Sequence, residues 1–167
     1  MSSPVIIRAS TPNDVPSIAD IYGHHVLKGT DSFEEVPPSV KEIERRRAAI
    51  VNPGMPWLVA ELDGIVVGYA YAGPFRARAA YRFTLEDSVY ISPVHQGRGI
   101  GRLLLERLIE ECRNAGFKQM LALIGDSQNL ASIRVHERCG FQHTGVFRDV
   151  GVKFDRYLDV VLMQREL

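Results

Sequence analysis

The chain has 167 residues, a hydrophobic content of 46% and 20 basic against 20 acidic side chains, for a formal charge of zero. That length and apolar fraction suit one domain with its own core, and the charge balance excludes bulk attraction to nucleic acid or to an anionic membrane. The start, Met1-Ser2-Ser3-Pro4, lacks a basic segment followed by an apolar one, and no run approaches the roughly 18 apolar residues of a membrane span, so a soluble cytoplasmic protein is expected.

Val5-Ile6-Ile7-Arg8 reads as a first strand. Thr11-Pro12-Asn13-Asp14 then supplies an N-cap, a proline at the first helical position and an acid at the third, and a helix should run to about Leu27 with Val15, Ile18, Ala19, Tyr22 and Val26 on its apolar face. Pro37-Pro38-Ser39 opens a short, charge-rich helix to about Ile50, and Arg45-Arg46-Arg47 reads as its solvated face. Residues 57–62 and 65–71 flank Asp63-Gly64, a strong hairpin signal. Gly73-Pro74 begins an Arg-rich connection over residues 75–83, and residues 88–92 read as the next strand.

A glycine-rich run, Gln96-Gly97-Arg98-Gly99-Ile100-Gly101-Arg102, joins that strand to a helix beginning near Gly99, whose buried face is expected at Ile100, Leu103, Leu104, Leu108 and Cys112. Asn114-Ala115-Gly116 stops the helix. A buried strand over residues 117–124, a helix over 128–139 and strands over 141–150 and 157–164 complete the order, which predicts a mixed α/β sheet. Cys112 and Cys139 form no CxxC pair and have no ligand cluster, so core thiols are expected rather than a disulfide or metal site.

Glycines at a strand-to-helix turn leave backbone N–H groups uncovered at a helix N-terminus, where the macrodipole favours negative charge, so the run suits a pyrophosphate. A P-loop would need Lys and then Ser or Thr after Gly101, where Arg102 and Leu103 stand; a dinucleotide fingerprint would need a third glycine at Arg102 or Leu104. Gln-x-x-Gly-x-Gly does fit, and with it the stretch resembles the acetyl-CoA signature of the GNAT N-acetyltransferases. Residues 70–81, then Thr84-Leu85-Glu86-Asp87-Ser88-Val89-Tyr90, then Val135-His136-Glu137-Arg138-Cys139-Gly140-Phe141 are similar to the phosphinothricin acetyltransferase branch of that family.

The resemblance implies a single GNAT domain over residues 1–167. Its mixed, mostly antiparallel sheet would have about seven strands and about four flanking helices, splayed between strands 4 and 5 to admit acetyl-CoA. Gln96, Gly97, Arg98, Gly99, Ile100, Gly101 and Arg102 would hold the pyrophosphate. Val89, Tyr90 and Ile91 would meet the pantetheine arm through their backbone, and Asn129 and Ser132 would touch the cofactor from the later helix.

Transfer to an amine needs a base, because an ammonium has no lone pair. Glu86, just before the strand, corresponds to the family's proposed base, with Asp87 as the fallback; an unperturbed Glu near pKa ~4.3 would need burial to be effective. Many family members place a Tyr seven residues after the helix-start Asn, and here His136 stands there, open to three roles: general acid, substrate contact or helix histidine.

Phe75, Arg76, Arg78 and Tyr81, with Arg82 less firmly, are expected to bind a carboxylate-bearing acceptor, with Phe33 as an aromatic wall and Glu86 facing the amine. His24, His25 and His95 lack metal-ligand spacing and are set aside. The implied reaction is acetylation of the α-amine of phosphinothricin, methionine sulfoximine or methionine sulfone, by direct attack in a homodimer, with no metal, nucleic acid or membrane. Another GNAT acceptor, such as a protein N-terminus or a polyamine, and a non-catalytic CoA sensor are the rivals; the basic loop counts against a polyamine.

Overall fold

The computed structural model describes residues 3–167; Met1 and Ser2, read above for the lack of a leader, lie outside the described residues. A seven-stranded sheet has the order β1-β2-β3-β4-β5-β7-β6. In chain order the elements are β1 (Ile6–Ala9), α1 (Val15–Lys28), α2 (Val40–Val51), β2 (Trp57–Leu62), β3 (Ile65–Pro74), β4 (Thr84–Ile91), α3 (Ile100–Asn114), β5 (Gln119–Gly125), α4 (Leu130–Arg138), β6 (Gln142–Lys153) and β7 (Arg156–Glu166). Among the described residues no helix is long and apolar enough to cross a membrane.

Strand alternation gives the sheet two apolar faces. Leu58, Ala60, Ala70, Ala72, Leu85 and Met120 pack under α3 with its Leu104, Leu105 and Leu108. Trp57, Val59 and Tyr69 face the other way, onto Val15, Ile18 and Ile21 of α1 and Ile43 of α2. Asp63 and Gly64 both take positive φ, 51° and 78°, as a two-residue turn with the twist of its strands requires.

Several boundaries differ from the sequence reading. Pro12–Asp14 form a separate 3-10 turn, and α1 starts only at Val15; the Asp14 carboxylate is held by the two terminal Arg8 guanidinium nitrogens (2.8 and 2.9 Å) as well as by the Thr11 N–H (2.7 Å). Leu103 is 42% exposed; Leu105 and Ile109 take its expected place in the core. The Arg45-Arg46-Arg47 run is not simply a solvated face, since Arg46 bridges Glu34 and Glu42 and Arg47 donates to Ser10. Both cysteines are buried, and burial pushes their thiols up, Cys112 to about 12 and Cys139 to about 11, so neither is a nucleophile at neutral pH.

The feature that positions the site is the single parallel strand pair among the described residues. β4 and β5 pair only at Thr84↔Gln119, Leu85↔Met120 and Glu86↔Leu121. Beyond that point β5 continues against β7 to Gly125 and β4 against β3 to Ile91, so a wedge opens between them with Glu86 at its apex. Glu86 thus lies inside β4, not before it. Residues 84–87 are polar and charged apart from Leu85, which hid the strand's first half from a search for apolar alternation.

Candidate active site

The wedge exposes a defined set of backbone groups. In an antiparallel pair the backbone groups of successive residues turn alternately toward and away from the partner. Phe75 N–H donates to Thr84 C=O (3.2 Å) and Ser92 N–H to Val67 C=O (2.8 Å), and the register between these ends is unbroken. Residues 84, 86, 88, 90 and 92 therefore turn to β3, and Asp87, Val89 and Ile91 turn to the wedge. Val89 and Ile91 sit as the sequence suggested. Tyr90 also lines the wedge cavity, but its backbone faces β3 and its ring packs with Tyr22, His25 and Tyr69 at centroid distances of 5.1, 5.4 and 5.5 Å.

At the wide end lies the glycine loop. Gly97 and Gly99 have φ of 75° and 77°, and Gly99 is the N-cap of α3. A Cβ at either would meet nothing within 4 Å, so the backbone conformation, not crowding, requires glycine there. Leu103 is the first α3 residue whose N–H finds an acceptor in the turn, Gly99 C=O at 3.2 Å, which leaves the N–H groups of Ile100, Gly101 and Arg102 pointing out of the helix end. Gln96, Gly97, Gly99, Ile100, Gly101 and Arg102 all line the wedge cavity of about 740 Å³; Arg98 does not. We expect Gly99→Val, forced into a left-handed conformation unfavourable to a β-branched side chain, to raise the acetyl-CoA Kd at least tenfold by calorimetry, with a smaller effect on acceptor KM.

α4 forms another cavity wall with Asn129, Ser132 and His136. The Asn129 side chain caps the helix by accepting from Ser132 N–H at 3.3 Å. His136 is buried, its Nδ1 2.7 Å from Ser132 C=O and its Nε2 2.8 Å from the Asp87 carboxylate. A carbonyl can only accept, so Nδ1 carries a proton and Nε2 shares another with Asp87. Burial pushes the imidazole's pKa down, but the Asp87 charge and hydrogen bond outweigh it and hold the group above its ordinary value.

Neighbouring strand residues project to opposite faces, so Glu86 points away from Asp87, toward the side of α1 and α2. Burial, and then the Asp87 charge, raise the Glu86 pKa above the ordinary carboxylate value. Phe33 stands at the far end of β5, where a Cβ on Gly125 would come within 2.8 Å of its ring; Phe33 itself is not part of the cavity lining.

The Arg-rich connection is elsewhere. Phe75 and Tyr81 meet edge to face at 5.6 Å and Arg76 lies 5.1 Å over the Phe75 ring, but none of Phe75, Arg76, Arg78 and Tyr81 lines this chain's cavity. The reason is the register Pro74↔Leu85, which carries the connection past the closed end of the wedge. Conversely, His25 and Asp31, set aside or unremarked in the sequence, do line the cavity. His25 stands seven residues after Ile18 on the buried face of α1, and that spacing was the available signal.

The acetyltransferase (GNAT) family model matches residues 21–141. The chain belongs to the GNAT acetyltransferase family. Among GNAT relatives, it is 52% identical over 161 residues to a phosphinothricin N-acetyltransferase of Alcaligenes faecalis, an alignment spanning 96% of this chain and 82% of that protein. It is 42% identical to an L-methionine sulfoximine/L-methionine sulfone acetyltransferase of Salmonella typhimurium, over 96% of this chain and 94% of the relative. The crystal structure of a GNAT phosphinothricin acetyltransferase from Sinorhizobium meliloti in complex with acetyl-CoA superposes with a TM-score of 0.95 at 43% identity, covering 98% of this chain and 88% of that one. The mixed GNAT sheet of seven strands and its opening between strands 4 and 5 are thus what the resemblance led us to expect.

Proposed function

We propose that this GNAT chain is an acetyl-CoA-dependent N-acetyltransferase acting on the α-amine of a small amino-acid-like acceptor of the phosphinothricin, methionine sulfoximine or methionine sulfone type. The observation that carries the reading is the position of Glu86, a half-buried carboxylate of raised pKa at the apex of the wedge. The acceptors named for these two relatives, phosphinothricin and methionine sulfoximine or sulfone, are α-amino acids and support the choice of substrate class.

The residues present fit acetyl-CoA, which supplies an acetyl group activated as a thioester. The N–H groups of Ile100, Gly101 and Arg102 receive the pyrophosphate, with Gln96, Gly97 and Gly99 shaping the turn and the Arg98 and Arg102 side chains near enough in sequence to add charge. Val89 and the Ile91 N–H pair with the pantetheine arm as an added strand would, and Asn129 and Ser132 flank it from α4. A wedge-facing N–H of β4 is the donor for the oxyanion that forms on transfer.

Glu86 takes the proton from the acceptor ammonium, directly or through water, and its raised pKa makes it a stronger base at neutral pH. His136 has both ring nitrogens engaged and could not release a proton without breaking one of those bonds. That favours a positioning role, joining α4 to β4, over a general acid.

Phe33 walls the acceptor side. Because the connection with Phe75, Arg76, Arg78 and Tyr81 lies outside its own cavity, its expected part in acceptor binding fits a homodimer in which one protomer's loop approaches its partner's site. We further propose that the whole chain acts as one GNAT domain in the cytoplasm and that blocking the amine detoxifies the acceptor.

Release of CoA thiol from acetyl-CoA, measured with a panel of amino acids and amines, tests the reading. Release should be fastest with methionine sulfone, methionine sulfoximine or phosphinothricin and slow with spermidine or an alanine-terminated peptide. Binding of acetyl-CoA with no release for any free amino acid would overturn it.

A further inference from the structure

His25, near the end of α1, is held by two different parts of the site. Its side chain is 8% exposed, its Nδ1 lies 2.7 Å from Asp31 Oδ2, and its Nε2 lies 2.7 Å from the Ile91 carbonyl oxygen. Both partners are acceptors, so engaging the two at once requires a proton on each ring nitrogen, which is the imidazolium form. The two partners belong to different parts of the site: Asp31 is in the loop of residues 29–36 that also carries Phe33, and Ile91 is the last wedge-facing residue of β4. Gly29 keeps this arrangement open, since a Cβ there would collide with the Asp31 carboxylate.

The loop has other ties. Thr30 donates to Asp126 (2.7 Å), Lys153 to Ser32 C=O (2.8 Å), and Ser32 bonds the Tyr22 hydroxyl (2.8 Å). These fix it to the β5–α4 turn, to β6 and to α1, whereas His25 connects it to the strand that lines the wedge. The carbonyl it holds would otherwise face the wedge unpaired.

We infer that His25 is a positioning residue for acetyl transfer: by donating from both ring nitrogens it fastens the acceptor-side loop to the cofactor-facing edge of β4. The inference rests on the wedge being the acetyl-CoA groove. It links the two halves of the site, because filling the wedge and ordering the loop then depend on the same imidazolium.

The link is complete while the ring is doubly protonated and loses one bond when it is not. Burial alone would lower the pKa of His25, but the Asp31 carboxylate outweighs it and the group titrates above its ordinary value. The bond is therefore fully present below about pH 6.5 and lost as pH rises through the raised folded value. His24 on the same helix (ring centroid 5.6 Å away) and Tyr90 on β4 (5.4 Å) face the ring, and Lys28, His95 and Asp126 share its grooves.

Two measurements on the full chain test this. In nitrogen-15 histidine NMR without ligand, His25 should be doubly protonated at pH 7, and in Asp31→Asn its titration should move to lower pH; a neutral His25 at pH 7 overturns the proposal whatever the variants do. Calorimetric acetyl-CoA affinity should weaken on the alkaline side in the wild type, weaken at lower pH in Asp31→Asn, and in His25→Gln be about tenfold poorer at pH 7 with that pH dependence gone, as expected for losing one charge-assisted bond. Identical pH profiles in wild type and Asp31→Asn also overturn it. Wild-type protein that binds no acetyl-CoA at any pH would instead refute the cofactor reading on which the inference rests.

Discussion

Glu86→Gln is expected to lower kcat at pH 7 by about a hundred- to ten-thousandfold while leaving acetyl-CoA affinity unchanged, the range typical for loss of a positioned general base. The amide keeps the size and most contacts of the carboxylate but cannot take up a proton. Asp87 is not placed to replace it. Asp87, next in the chain, projects to the opposite face of the sheet and is 2.8 Å from His136 in a buried pair, so the fallback that sequence left open is removed by geometry. The wild type should show an acid limb in kcat displaced above the ordinary carboxylate range, because Glu86 works as the carboxylate and burial raises its pKa. Steady-state rates from acid to neutral pH check both points, and a pH profile unaltered by the substitution would remove Glu86 from the mechanism.

The second large effect is on stability. Asp87→Ala should destabilise the fold by about 3–5 kcal/mol, since it leaves a buried imidazole without its partner. Both side chains are nearly inaccessible, 3% and 5% exposed for Asp87 and His136. Such a loss is a substantial part of the ~5–15 kcal/mol by which domains are stable. The pair's contribution has a definite pH dependence. His136 titrates above its ordinary value in the fold, so the stabilisation is fully present below about pH 6.5 and declines as pH rises through the folded pKa.

Urea denaturation should therefore show a large gap between wild type and Asp87→Ala at pH 6 that narrows in alkali. The double variant Asp87→Leu/His136→Phe, which replaces both members by apolar groups, should recover much of the loss. A gap that widened with pH would contradict the charge assignment.

What sequence revealed and concealed follows from the range of each interaction. Asp63-Gly64, the glycine run and the α3 stop at Asn114-Ala115-Gly116 are local: their backbone conformations are dictated by residues a few positions apart, and each lies where expected. The first half of β4 was missed because Thr84, Glu86 and Asp87 interrupt the apolar pattern, and they do so because this is where the strands part around the site. Leu103 fits a helical spacing, yet the wider stripe through Leu104, Leu105 and Ile109 decides which face α3 buries.

Pairs such as His136 with Asp87 and His25 with Ile91, separated by 49 and 66 positions, leave no periodic trace. His25 was passed over because the histidines lack the spacing of metal ligands. Arg76 and Arg78 show the opposite failing. Their spacing is conspicuous in the sequence, but the register of β3 against β4 sets them beyond the closed end of the wedge, outside this chain's own cavity.

Direct transfer of acetyl from acetyl-CoA to an α-amine, with Glu86 as base, passes through no acyl-enzyme. Mass spectrometry of the protein and its products, after mixing with acetyl-CoA with and without methionine sulfone, tests it most directly. Unmodified protein is expected in both samples, and N-acetylmethionine sulfone only where the acceptor is present. Acetylated protein accumulating without acceptor, or no acetylated product from any of the proposed amino acids, would contradict it.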